Sequence, residues 1–337
     1  MNKKKISIGV IGIGRIGKIH LKNLFNHFKS IKIEAISDTN EKLEKLCKTY
    51  NIGKFYKSYQ DLIKDKSIDA VLICSPTSFH SKQIIFAAKH KKDIFCEKPV
   101  DLSLEKTIEV LNIINKTKVK FMIGFNRRFD PDFIKVKKMV DEGKIGKVQT
   151  IKITSRDPNP PSIDYIKNSG GLFIDMTIHD FDMACNIANS NVNQVYTSVN
   201  TINKKIKEAG DIDVALTTLK FENGIICSID NSRKSVYGYD QRIEIFGSKG
   251  MCGIDKKNNT NTFLINDKKI KKSFPKDFFI TRYKDAYINE MKEFVDCLIN
   301  NNKPSVGIED AVNSIRIAIA AKLSYKKNKK VELKTLY

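Results

Sequence analysis

The chain has 337 residues and carries 60 Lys and Arg against 38 Asp and Glu, a formal net charge of +22. A hydrophobic share of 41% is ordinary for a soluble globular protein, and the length suits two domains better than one small core. The basic excess is scattered. Its densest runs, Lys268–Lys272 and Lys326–Lys330, have no interleaved aromatic stripe, so nucleic acid is not an expected partner.

Seven cysteines without a C-x-x-C pair argue against a disulfide framework and against structural zinc, so reduced thiols in a cytoplasm are expected. Lys3–Lys5 precede an apolar stretch as in a signal peptide. However, Ile6–Ile13 is short, broken by glycine and followed by Arg15, and no small-residue cleavage site follows. No apolar segment reaches the length of a membrane span, and no membrane partner is expected.

Ile6–Ile13 (ISIGVIGI) reads as a strand buried on both faces. After it the pattern predicts a helix over Ile16–Phe28, a strand over Ile31–Ser37, helices over Glu41–Tyr50 and Ser58–Asp65, and a strand over Ala70–Cys74. A helix over Ser81–His90, a strand over Asp93–Cys96, a helix over Leu104–Thr117 and a strand over Phe121–Gly124 follow. Strands alternating with helices predict an α/β class, a Rossmann-type doubly wound parallel sheet.

The rhythm then changes. Helices over Asp132–Glu142 and Phe173–Ala188 accompany strands over Val148–Ser155, Gln194–Asn203, Val214–Glu222, Gly224–Asn231, Gln241–Gly247 and Thr262–Ile265. Glycine-containing turns predict hairpins and a mostly antiparallel sheet. Helices near Asp285–Asn300 and Glu309–Lys326 close the chain. The expected domains are 1–122, for nucleotide, and 123–337, an α+β domain for substrate and oligomerisation whose C-terminal helix can pack back on the first domain.

Gly12-Ile-Gly14-Arg15-Ile16-Gly17 is G-x-G-x-x-G placed between a buried strand and a helix. The first glycine allows the tight turn, the second lets pyrophosphate approach the backbone, and the third lets helix pack on strand. The second strand ends at Asp38, about 20 residues on, where a carboxylate accepts hydrogen bonds from ribose hydroxyls. It would repel a 2′-phosphate, and Thr39-Asn40 supply no arginine for one. NAD is the expected cofactor.

The chain has five histidines, and the second domain contains only His179. At about 100° per residue, Asp175, His179 and Asp182 fall within roughly 60° of one helix face. Flanking carboxylates raise the basicity of a histidine and orient its ring, as a general base for alcohol oxidation requires. A solvated polar face and a metal site stay open as alternatives. Glu97-Lys98-Pro99 follows the strand Asp93–Cys96, which places Lys98 at the carboxyl edge of a doubly wound sheet. An ammonium there can stabilise a developing alkoxide.

Together with Ser75-Pro76-Thr77, His80 and Gly124-Phe-Asn-Arg-Arg-Phe-Asp130, these residues resemble the Gfo/Idh/MocA oxidoreductase family over nearly the entire chain. Within it, Arg156-Asp-Pro158, Glu208–Asp213 and Asp230–Arg242 are most similar to the inositol dehydrogenases. The resemblance implies Lys98, Asp175 and His179 as catalytic residues. It also implies a cofactor site of Gly12, Gly14, Arg15, Ile16, Gly17, Asp38, Ser75, Pro76, Thr77, His80, Glu97, Lys98 and Arg127.

Substrate hydroxyls are expected at Lys98, Arg128, Asp157, Asp182 and Tyr237, with no metal. The implied reaction is NAD-dependent oxidation of an inositol ring hydroxyl, myo-inositol to scyllo-inosose. Other isomers, a sugar, or a non-catalytic NAD-sensing role stay open as alternatives. Some inositol dehydrogenases carry His and Asn where this chain has Ser155 and Asp157, a difference that bears on the isomer. The resemblance further implies a homo-oligomer, a dimer of dimers, assembled through the exposed face of the second sheet.

Overall fold

The computed structural model describes residues 5–336 apart from 261, 269 and 274, so Lys269 of the KKIKK run lies outside the described residues. Two compact units result: Met1–Phe129 with Asp285–Asn313, and Asp130–Lys284 with Ser314–Tyr337. The first unit therefore runs past the expected boundary at 122 and includes a segment from late in the chain.

In the first unit, β1 (Ile6–Ile11), α1 (Arg15–His27), β2 (Ile31–Ser37), a 3-10 turn (Glu41–Glu44) and α2 (Lys45–Thr49) lead into β3 (Lys54–Tyr56). Then come α3 (Tyr59–Lys64), β4 (Ala70–Ile73), α4 (Thr77–Lys89), β5 (Asp93–Glu97), α5 (Leu104–Thr117) and β6 (Phe121–Gly124). The strand order is β3-β2-β1-β4-β5-β6, and every pairing is parallel. The order reverses between β1 and β4, where open α/β sheets place their ligands.

Apolar runs such as Ala70–Ile73 are buried throughout because helices cover both faces. Two details differ from the sequence expectation. β3, at the sheet edge, is only three residues long and too short to show a period. α4 starts at Thr77, four residues earlier than expected, with Pro76 as its N-cap; proline is suited to a helix start.

The second unit opens with α6 (Pro131–Asp141), whose N-cap Asp130 accepts from the main-chain N–H groups of Asp132 and Phe133. It continues with β7 (Val148–Arg156), α7 (Ile163–Asn168), a π-helical turn (Phe173–Thr177) leading into α8 (Ile178–Ala188), β8 (Val192–Asn200), α9 (Lys204–Glu208), β9 (Val214–Phe221), β10 (Ile226–Ser232), β11 (Asp240–Gly247) and β12 (Gly250–Ile254). A hairpin of β13 (Phe263–Ile265) and β14 (Ile270–Lys272) and the short β15 (Val331–Glu332) complete the strands.

The large sheet runs β12-β11-β7-β10-β9-β8-β15, antiparallel except for the parallel β7–β10 pair. β9 alternates strictly between buried and exposed residues, so one face of the sheet is packed and the other is open. No helix among the described residues is long and apolar enough to cross a membrane.

Candidate active site

In the first unit the expected nucleotide residues all follow the carboxyl ends of strands: Gly12 after β1, Asp38 after β2, Ser75 after β4, Lys98 after β5 and Arg127 after β6. Gly12 has φ +84°, and a Cβ there would stand 2.5 Å from the Ser75 nitrogen. A Cβ on Gly17 would stand 2.0 Å from the Gly12 carbonyl oxygen, so α1 packs on β1 only without a side chain. At Gly14, the N-cap of α1, a Cβ would meet nothing within 4 Å. No side chain caps this helix and no acid sits in its first turn, so its N–H groups suit an anion.

Asp38 is fixed from both sides. Its Oδ2 accepts from the Ile13 N–H at 2.7 Å and its Oδ1 from the Asn40 N–H at 2.9 Å. Each oxygen keeps a lone pair for a ribose hydroxyl. The open step at Gly14 and a carboxylate locked to the same turn fit a dinucleotide whose ribose is unphosphorylated.

Two residues assigned to the cofactor are engaged elsewhere. His80 is buried, with Nδ1 2.8 Å from the Pro99 carbonyl oxygen and Nε2 2.7 Å from that of Ser75. It ties the β4 turn to the Lys98-Pro99 turn. Burial holds its pKa below the ordinary histidine value, against the pull of the two carbonyls. Glu97 directs Oε1 to His20 Nε2 at 2.8 Å. Lys98 is half-buried. Arg127 is buried, and Arg128 donates to Asp310 Oδ1 at 2.8 Å.

In the second unit Asp175 lies inside the π-helical turn and His179 in the first turn of α8. A π turn departs from 100° per residue, so the helical-face argument does not carry across it unchanged. Asp175 and His179 remain partly exposed, whereas Asp182 is buried. Asp175 is anchored by Tyr165, whose hydroxyl donates to Oδ1 at 2.9 Å, and by the buried Arg233, whose Nη1 is 3.6 Å from Oδ2. Arg233 also donates to Asp211 Oδ2 at 2.9 Å.

α8 is pinned to the sheet through Asn231, which donates to Asp180 Oδ2 at 2.8 Å and accepts from the Thr177 hydroxyl at 2.9 Å. Tyr237 accepts from Arg156 Nη1 at 2.8 Å and donates to Asp240 Oδ2 at 2.8 Å. Arg156 also pairs with Asp230, which raises its pKa further above the ordinary arginine value. The Asp157 main chain bonds to Ser232 and Ser235. His20 and Tyr165 belong to no local motif, and Asn231 and Arg233 lie in the Asp230–Arg242 stretch without being singled out, because their partners are distant in sequence.

The N-terminal residues 6–125 match the model of an oxidoreductase family with an NAD-binding Rossmann fold, and residues 133–252 match the GFO/IDH/MocA C-terminal domain. A myo-inositol 2-dehydrogenase of Thermotoga maritima is 44% identical over 97% of this chain and 98% of its own. The crystal structure of a probable dehydrogenase from Thermotoga maritima superposes with a TM-score of 0.96 at 42% identity, covering 98% of this chain and 100% of that one. That of a scyllo-inositol dehydrogenase from Lactobacillus casei with bound NAD(H) and scyllo-inositol has a TM-score of 0.91 at 30% identity, covering 98% and 100%.

Proposed function

The chain belongs to the GFO/IDH/MocA family of NAD-dependent oxidoreductases, and from that premise we propose that it oxidises one ring secondary alcohol of an inositol. The expected reaction converts myo-inositol to its 2-keto product, scyllo-inosose. Similarity over 97% of the chain to a myo-inositol 2-dehydrogenase carries this reading. A second isomer, scyllo-inositol, is favoured by the relative that binds it with NAD(H) on the same fold.

NAD, when bound, accepts the hydride. Lys98 presents its ammonium to the reacting oxygen and stabilises the alkoxide as it develops. His179 takes the hydroxyl proton as general base. Asp175, held by Tyr165 and Arg233, keeps the His179 ring oriented. The remaining hydroxyls of a polyol each need a partner when buried, and Arg128, Asp157, Asp182 and Tyr237 are assigned to them.

For the cofactor, the N–H groups at Gly14, Arg15, Ile16 and Gly17 would hold the pyrophosphate, and Asp38 would take the ribose. Ser75, Pro76, Thr77 and Arg127 would also contact the dinucleotide, while His80 and Glu97 would act through the turns they hold. We place the enzyme in the cytoplasm as a dimer of dimers. Met251, Phe246, Thr150 and Ile226 form one row across β12, β11, β7 and β10, and the three apolar members are exposed, which suits a second copy of this chain.

Incubation with NAD and myo-inositol, followed by product identification, tests the reading. A 2-keto inositol formed in step with NADH supports it, and NADH formed only in a parallel incubation of NAD with an aldose, with myo-inositol left unchanged, refutes it.

A further inference from the structure

His20, Glu97 and Glu290 meet inside the first unit, from α1, the end of β5 and the helix Lys284–Asn300. One ligand-type atom of each lies within 4.8 Å of the others. Both carboxylate oxygens of Glu290 are buried without a hydrogen-bond partner, and its side chain is 0% exposed. His20 is equally buried, with the rings of Phe95 and Tyr287 edge-on to it. Glu97 is confined from the other side, since a Cβ on Gly124 would stand 3.1 Å from its Oε2. The reaction outlined above gives no role to His20 or Glu290.

Charge decides its state. Two carboxylates and a neutral imidazole would leave two negative charges in a largely buried site, and an unpaired buried charge is costlier than the proton that removes it. His20 Nε2 stands 2.8 Å from Glu97 Oε1, so Glu97 has a polar partner, whereas neither oxygen of Glu290 has one. Glu290 is then the member that must be uncharged. Burial, and after it the charge of Glu97, push the Glu290 carboxyl well above the ordinary glutamate range. Burial, and after it the charge of Glu97, push the Cys74 thiol after β4 up as well, so it stays a neutral thiol and brings no compensating charge.

We propose that Glu290 is a positioning residue: as the neutral acid it directs its proton at Glu97, and the Glu97 so held fixes the next residue in the chain, Lys98. The Glu97 carboxylate is then clamped between α1, which carries the phosphate turn, and a helix from late in the sequence. The same clamp sets the direction in which the chain leaves β5. This inference rests on the role given to Lys98 under Proposed function.

The test uses the full chain loaded with NAD. The infrared difference between wild type and Glu290→Gln should show the carbonyl stretch of a protonated carboxylic acid, lost in the variant. Glu290→Gln, a neutral isostere, should keep kcat close to wild type, whereas Glu290→Ala should lower kcat about 10- to 100-fold with little change in KM for NAD.

Absence of the acid band overturns the proposal. So does a Gln variant as impaired as the Ala variant, or a stoichiometric metal ion in the purified protein whose removal abolishes activity. The band is read without substrate, so it decides the state of Glu290 independently of inositol. Failure of the wild type to oxidise any inositol would instead sink the functional reading.

Discussion

The main-chain N–H of Ile13 donates to Oδ2 of Asp38 at 2.7 Å. The glycine turn proposed for the phosphates and the carboxylate proposed for the ribose are therefore tied together, not two sites that happen to share a sheet. Both lie where the strand order reverses, and the same carboxylate is pinned again by Asn40.

Asp38→Ala should weaken NAD binding about 10- to 100-fold, the loss of charged hydrogen bonds to two hydroxyls. It should also narrow the preference for NAD over NADP, because the charge that repels a 2′-phosphate is gone. Dissociation constants for both nucleotides check this. Unchanged selectivity would place the discriminating group elsewhere.

Lys98→Ala and His179→Ala should each lower kcat about 10²- to 10⁴-fold, the range for a lost general acid–base or charge-stabilising group. NAD affinity should change little in His179→Ala. Steady-state kinetics together with equilibrium NAD titration separate the two effects. Near-normal rates in both variants would contradict the assigned roles.

Glu290 also predicts the sign of a pH effect. Its pKa is raised in the folded state above the unfolded value of about 4.3. In that window the native state holds a proton that the unfolded chain has lost. The stability it contributes is therefore full below about pH 4.3 and disappears as pH rises through the raised native value. Thermal melts across pH should show a shallower decline in Glu290→Gln, which has no proton to lose.

Phe246→Lys should convert a tetramer or dimer to a smaller species, measured by light scattering. The substituted position lies in the exposed apolar row on the open face of the large sheet. An unchanged mass would move the interface to another surface.

Much of the first unit was legible because its information is local. A glycine hexamer between strand and helix, an acid at the next strand end and a lysine after the fifth strand all follow chain order. Edge strand β3 was not, since three residues carry no period. The π turn at Phe173–Thr177 was hidden as well: its composition is that of any apolar helix, and only the i→i+5 geometry distinguishes it.

The supports of the candidate catalytic groups were the least legible. Arg233 reaches Asp175 and Asp211 from far away in sequence, and Glu290 comes to lie within 4.8 Å of the Glu97–His20 pair. Such pairs become visible only when topology joins them. His80 shows the opposite case: a residue legible as part of a motif whose two ring nitrogens turn out to face main-chain carbonyls.

The most direct test of NAD-dependent inositol oxidation is kcat/KM for myo-inositol, scyllo-inositol and a panel of aldoses, each with NAD and with NADP, followed by NADH or NADPH formation. An inositol with NAD should give the highest value, with myo-inositol the leading isomer. An aldose turned over faster than every inositol, or faster turnover with NADP, would contradict the account.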